Sequence, residues 1–388
     1  MLRLRPLLVA FLVGLPALPA GAAGEVTLEA VPAASIPSGG TVTFRGAVPS
    51  ASDGDTVQIV NADDPTESLA PAATISGGAY DVVSVPLTRN VRAKAVWGLF
   101  ESEPLLVLVR PKLTIALSDV RLFDRALVRG TIDPPHDGQT VTVQLLRKGV
   151  VMREATATIS DGRFRARLGV RKPGTYRAKV IFPADVDHAE ASKRSDERTT
   201  PLPTLRTGSR NRFVRLLERR LRDLRYRVPA PDTHFDHRTA DAVLAFRKVQ
   251  GIRRTRIVTA STWRKLASPR KPRARSSRPW FHIEVDQTKQ VLYLVRGGRI
   301  TSIVHVSTGG PGIGTTYDGT WRVHRRLAGY SPGRLYYPAY FHGNRAIHGW
   351  PDVPPTPASH GCVRVPMWTA QWLYDQAPVG RVIKIYHS

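Results

Sequence analysis

The chain of 388 residues contains one cysteine, Cys362, in the run Ser359-His360-Gly361-Cys362, and a second His-Gly pair, His348-Gly349, begins 14 residues before it. A thiol has an ordinary pKa of about 8.5 and becomes a useful nucleophile when an imidazole or oriented amides stabilise its thiolate. Both kinds of group are at hand: His348 and His360 supply imidazoles, and Gly361 has no side chain to stop neighbouring amides turning toward a reacting carbonyl. That combination suits acyl transfer through a thioester. Four prolines and Asp352 lie between His348 and Cys362, a loop long enough to fold back and bring imidazole to sulfur. Two readings compete with this one. A lone cysteine is commonly a small buried hydrophobe, and His342, His348, His360 and Cys362 together are a set of zinc-ligand types.

The compartment bears on the thiol. Arg3 and Arg5, an apolar run over residues 7–18 and Ala20-Gly21-Ala22 form a secretory signal with cleavage expected near Ala22 or Ala23, so residues 1–23 are assigned to it. The run is shorter than the roughly 20 residues a membrane-spanning helix needs, and no later segment is apolar enough, so no stable membrane span is expected after cleavage. The mature chain is placed outside the cytoplasm, secreted or at the cell wall. Oxidising compartments normally recruit cysteines in pairs; a single one permits no internal disulfide and points to a reactive thiol.

The elements that must position these residues follow an internal repeat. Arg45-Gly46 and Asp53-Gly54 recur 84 residues on as Arg129-Gly130 and Asp137-Gly138, and Ala73 to Ser76 recur as Ala157 to Ser160. Short alternating runs such as "TVTFRGAV" and "TVTVQLL" between Asp-Gly and Pro-rich turns are the pattern of antiparallel strands. Residues 25–110 and 111–198 are therefore read as two β-sandwich repeats resembling immunoglobulin-like modules, without the cysteine pair some of these carry. Neither contains an evident reactive motif, and a spacer or wall-contact role is expected.

After a polar linker the period becomes helical. Phe213, Leu216, Leu217, Leu221 and Leu224 share one face, Ala242, Val243 and Phe246 repeat the spacing, and a last short helix is expected to be capped at Ser261. The motifs "VRLLERRLRDLRY", "FDHRTADAVLAFRKVQGI" and "TASTWRKL" make residues 204–268 resemble the peptidoglycan-binding domain type 1, a small three-helix module. His234 and His237, without a third ligand nearby, are read as surface polar residues. The net charge of the chain is +26, and residues 201–278 supply 22 Lys plus Arg against 5 Asp plus Glu, or 22 − 5 = +17. Such a patch is a polyanion footprint; in an exported protein the partner expected is an anionic wall polymer rather than nucleic acid.

A basic linker, residues 269–278, leads to the C-terminal unit, residues 279–388. Strands are expected over residues 281–285, 291–295 and 300–307, with the cysteine motif carried by loops on a β-rich scaffold. Here "IHGWPDVPPTPASHGCVRVP", with "VSTGG", "GTWRV" and "VGRVIKIY", resembles the signature of L,D-transpeptidases of the YkuD type over about residues 281–386. The overall fold expected is thus multidomain: two immunoglobulin-like β-sandwiches, a three-helix domain and a β-rich YkuD-like catalytic domain.

The resemblance implies an exported L,D-transpeptidase acting on peptidoglycan stem peptides and forming 3→3 cross-links with release of D-alanine, with neither cofactor nor metal. Carried over residue by residue, Cys362 is the nucleophile and His348 the proton donor and acceptor, its ring oriented by the carbonyl of Gly349. The amides of His360, Gly361 and Cys362 form the oxyanion hole. Arg364 stabilises the motif loop or receives a substrate carboxylate, and Ser359 lies with it at the substrate. Thr316-Tyr317-Asp318-Gly319 stands where the family often has Thr-Pro-x-Gly. The alternatives are an L,D-carboxypeptidase, in which water replaces the acceptor amine, a cysteine peptidase of the wall, and a non-catalytic wall-binding protein.

Overall fold

A computed structural model describes residues 26–310 and 312–388; the expected export signal lies outside the described residues. The described residues are mostly β, with four helices. None of these is long and apolar enough to cross a membrane.

The first two units each enclose a core between two sheets, because their strands alternate inward apolar with outward polar side chains. In the first, Phe44 and Ile59 come from different sheets and meet in one cluster; in the second, Phe164 of one sheet meets Leu145 and Phe182 of the other. Contacts recur at the 84-residue offset. Gly46 pairs with Tyr80 and Gly130 with Phe164, and a Cβ on either glycine would collide with that aromatic ring and with a backbone oxygen, Thr27 O at 1.9 Å or Thr114 O at 2.1 Å. The glycine is therefore required by the ring lying across its strand in both copies.

Three helices follow: α1 (Arg212–Asp223), α2 (His237–Val249) and α3 (Ala260–Ala267). Asn211 and Asp236 cap the first two by accepting the amides of Phe213 and Thr239. The third starts two residues before the expected Ser261: Thr259 is its cap, in a capping box with Thr262. His237 is exposed, as a surface residue should be, and His234 is half-buried.

The C-terminal unit has a five-stranded sheet in the order Arg299–His305, Val291–Arg296, Phe281–Asp286, Val382–Tyr386, Gly319–Arg322. A four-stranded sheet runs Arg325–Arg326, Tyr336–His342, Arg345–Trp350, Val363–Pro366, and helix α4 (Met367–Gln376) packs on it. The strand Val291–Arg296, second from the edge, is buried on both faces: Leu292 and Leu294 enter the core between the sheets, while Tyr293 and Val295 join Leu217, Phe246 and Trp263 of the helical segment. The helices and the C-terminal five-stranded sheet thus share a hydrophobic core. The outer edge of that sheet is covered as well, since Arg227 N donates to Ile303 O and Ile303 N to Arg225 O.

A polar staple reinforces this union. Lys248, on α2 and 3 % exposed, donates to Gln290 O, Val306 O and His305 Nδ1 at 3.0, 2.9 and 2.7 Å. Burial pushes its pKa well down, yet three acceptors match the three donors of an ammonium. His305 passes the connection on, donating from Nε2 to Val353 O.

Candidate active site

His348 lies within the strand Arg345–Trp350, not in a loop as the sequence suggested, and Cys362 immediately precedes the strand Val363–Pro366. The two strands run parallel, with Ile347 beside Val363 and His348 beside Arg364. Ile347, Val363 and Val365 point into the core. By the two-residue alternation, His348, Arg364 and Cys362 all face the opposite side. The fold therefore gathers the predicted base and the predicted nucleophile diagonally across one ladder.

His348 Nδ1 is 2.9 Å from Gly349 O. A carbonyl only accepts, so Nδ1 carries the proton and Nε2 keeps its lone pair. Burial lowers the His348 pKa to about 4, the bond to Gly349 opposing and Arg364 assisting the shift; the imidazole is neutral over most of the pH range. Gly349 must be glycine for packing reasons: a Cβ there would lie 2.7 Å from Ala370 Cβ of α4 and 3.0 Å from the Tyr336 ring.

Cys362 is half-buried, its Sγ 3.9 Å from Asn344 O. Burial pushes the thiol up, while the Ala346 amide and the guanidiniums of Arg345 and Arg364 favour the thiolate. At neutral pH the resting pair is a thiol beside a neutral imidazole, so ionisation must accompany attack rather than precede it.

The turn into Cys362 is fixed from inside. Gly361 has φ +111°, and a Cβ there would lie 2.7 Å from Arg345 Nε and 2.8 Å from Thr315 O. Ser359 is buried; its hydroxyl donates to Cys362 O at 2.5 Å and accepts the Gly361 amide at 3.1 Å. The expectation that Ser359 meets substrate gives way here, since its hydroxyl is used within the turn. The Gly361 amide is likewise engaged, and among the described residues no partner is found for the amides of His360 and Cys362. The His360 side chain is exposed.

One residue was missed. Thr316, 2 % exposed, accepts the Gly309 amide at 2.9 Å and donates to Gly361 O at 2.9 Å, tying the neighbouring loop to the cysteine turn. Its only signal in the sequence was its place in the unusual Thr-Tyr-Asp-Gly run. Beside it Arg345 lies over Tyr317 at 4.5 Å, and Trp321 packs on His342 at 4.1 Å; Arg364 lies over Trp350 at 5.1 Å. Together they give the site an aromatic wall with a cationic rim. Of the four residues of the competing zinc reading, His342 is in that wall and the His360 side chain is exposed, and among the described residues the four do not gather as a ligand set.

The helical segment holds the loop that joins His348 to Cys362. Arg256 donates to Val353 O at 2.9 Å and Arg254 to Pro355 O at 3.1 Å, alongside the contact through His305. Sequence periodicity gives no hint of this, because arginines after a helix read as solvated.

Residues 281–385 match the family described as YkuD, L,D-transpeptidase catalytic domain, and residues 210–266 the putative peptidoglycan binding domain. Among solved structures, the chain is similar to an L,D-transpeptidase from Xylanimonas cellulosilytica DSM 15894, with 33 % identity over 48 % of this chain and 99 % of that one and a TM-score of 0.45. It is also similar to an L,D-transpeptidase from Stackebrandtia nassauensis, with 21 % identity over 49 % and 98 % of the two chains and a TM-score of 0.31. An L,D-transpeptidase from Mycobacterium tuberculosis H37Rv aligns over 72 % of this chain and 98 % of its own, at 9 % identity and a TM-score of 0.25. No curated protein matches the chain.

Proposed function

Because the chain belongs to the YkuD family of L,D-transpeptidases, we propose that it is an exported enzyme that cross-links peptidoglycan stem peptides 3→3 through an acyl-enzyme on Cys362. The observation that carries this reading is the fixed tautomer of His348, whose unprotonated Nε2 belongs to the side chain facing the same side as the Cys362 thiol.

In the first step Cys362 Sγ attacks the carbonyl of the diamino acid at position three of a tetrapeptide stem, and His348 Nε2 takes the thiol proton. Negative charge develops on the carbonyl oxygen, where the free amides of His360 and Cys362 would receive it. Gly361 and Ser359 act as positioning residues for those amides. Collapse breaks the peptide bond; the proton held by His348 passes to the departing amine, and D-alanine leaves. In the second step the side-chain amine of another stem attacks the thioester, His348 removes its proton, and Sγ departs as the new amide forms. The thioester conserves the energy of the peptide bond, so the cycle closes without ATP. If water takes the place of the amine the product is a tripeptide, which is the L,D-carboxypeptidase alternative.

Arg364, which stacks on Trp350, would receive a substrate carboxylate at the rim. The helical segment, residues 204–268, is read as the wall-binding domain, its basic surface suited to anionic polymers as well as glycan. Residues 25–110 and 111–198 are read as immunoglobulin-like spacers that present residues 279–388 to the wall, outside the cytoplasm.

Purified chain incubated with tetrapeptide muropeptides and followed by mass spectrometry tests this. The expected products are free D-alanine and a cross-linked dimer, both absent with Cys362→Ala. Tripeptide without dimer would identify the hydrolase, and no D-alanine release from the folded wild-type chain would reject the proposal.

A further inference from the structure

Far from Cys362, the second β unit holds a group of side chains that transpeptidation does not use. His136, Asp185 and His188 bring one ligand atom each to within 4.8 Å of one another, and the two histidines are 7 % and 5 % exposed.

Their hydrogen bonds settle which nitrogens are free. His136 Nδ1 bonds Pro134 O at 2.6 Å and His188 Nε2 bonds Thr88 O at 2.8 Å. Carbonyls only accept, so both of these nitrogens are protonated in the neutral rings. The remaining two, His136 Nε2 and His188 Nδ1, then direct lone pairs at each other across 3.0 Å. The Asp185 carboxylate adds negative charge, with Oδ2 3.6 Å from His136 Nε2 and Oδ1 3.8 Å from His188 Nδ1. Hydrogen bonds from Gln139 Nε2 to Oδ2 at 3.0 Å and from the His188 amide to Oδ1 at 2.7 Å hold the carboxylate in place.

Two buried nitrogen lone pairs and a half-buried carboxylate lie close together, an arrangement that favours a bound cation. A proton shared between the two nitrogens would leave both carboxylate oxygens beyond hydrogen-bond range of either ring. A tetrahedral Zn2+, with bonds of about 2.0–2.1 Å, holds its ligand atoms about 3.3 Å apart, close to the 3.0 Å between the two nitrogens and the 3.6 Å from His136 Nε2 to Asp185 Oδ2. The backbone carbonyls of Pro134 and Thr88 and the Gln139 amide are the outer partners that metal-binding histidines and carboxylates ordinarily have.

We propose that His136, Asp185 and His188 bind a divalent transition metal of the zinc class, with a fourth position open to water. The site is also a junction between the two β units. Thr88 belongs to the first, and residues 186–189 dock on that unit through Asn90 N to Asp187 O at 2.6 Å, Asn90 Nδ2 to Val186 O at 3.2 Å and Ala189 N to Val109 O at 2.8 Å. Metal uptake would fix the ligand loop against the first unit and so stiffen the connection between the two.

The test uses the untagged full chain with Cys362→Ser, which removes its one thiol from competition for metal. Zn2+ is titrated against a chromophoric chelator, and Co2+ in parallel for the visible absorption of its tetrahedral complexes. One equivalent per chain is expected, with affinity falling at least about 100-fold in His136→Gln and in His188→Gln. Zn2+ should raise the melting temperature of the parent and not of these variants. Asp185→Asn, which keeps the shape and loses the charge, guards against a folding defect and should bind more weakly while melting like the metal-free parent. No uptake by the folded parent, or uptake unchanged in both histidine variants, would overturn the site.

Discussion

The ionisation of Cys362 is open to a direct test by pH. An ordinary thiol with a pKa near 8.5 is about 3 % thiolate at pH 7, and burial takes Cys362 below that fraction. His348, with a pKa of about 4, is neutral throughout the range of interest and cannot hold a resting thiolate as an ion pair. Iodoacetamide reacts with the thiolate alone, so the alkylation rate of Cys362 should rise about tenfold per pH unit, about 100-fold between pH 6 and 8. Intact-mass kinetics with a small excess of reagent would measure it. His348→Gln should leave that slope as it is, because the ring does not set the resting ionisation. The same variant should lose about 10²- to 10⁴-fold in acylation by stem peptide, the usual contribution of a general base. A rate already flat above pH 5 would mean a preformed thiolate-imidazolium pair and would refute this account of the site.

Other outcomes follow from the same contacts. Gly361→Ala must relieve contacts of 2.7 and 2.8 Å at φ +111°; about 1–3 kcal/mol of strain and a displaced cysteine turn should lower D-alanine release at least about 100-fold, as read by an end-point amino-acid assay. Lys248→Met leaves three acceptors unserved; at about 1–3 kcal/mol each, less the relief of a buried charge, the net loss should be about 2 kcal/mol, measured by urea denaturation. The folded-state pKa of His348 is depressed below its unfolded value, so the unfolded chain binds the proton first and stability falls with pH between about 6.5 and 4. The difference of about 2.5 pH units amounts to about 3 kcal/mol, visible as a lower urea midpoint and reduced in His348→Gln; burial lowers His305 in the same way, so part of the slope should survive.

The residues of the site were legible because their chemistry is local: one thiol, two His-Gly pairs and a glycine turn stand close together in sequence. So was the repeat, whose glycines and aromatics recur at a fixed offset. What holds the site was much less legible. The strand Val291–Arg296 reads as buried whether one layer or two cover it, and nothing in its sequence says that the helical segment covers the outer face. Lys248, at the end of a helix among other basic residues, reads as solvated, yet it is inside a shared core. His348 was expected in a loop because the run after it is rich in prolines; it is on a strand because its neighbour Ile347 fits the core beside Val363. Ser359 resembled a substrate contact until its hydroxyl was seen to close the turn. His136 and His188 are 52 residues apart and form no motif; only the folding of the second β unit joins them.

The central claim is that Cys362 carries the acyl group. Acid quenching of the chain during turnover of a tetrapeptide muropeptide, followed by peptide mapping, reads that bond directly. A disaccharide-tripeptide mass on the peptide containing Cys362, removed by hydroxylamine and missing from His348→Gln at the same time point, is the expected result. Cross-linked product accumulating without any such adduct, or accumulating in Cys362→Ala, would contradict it.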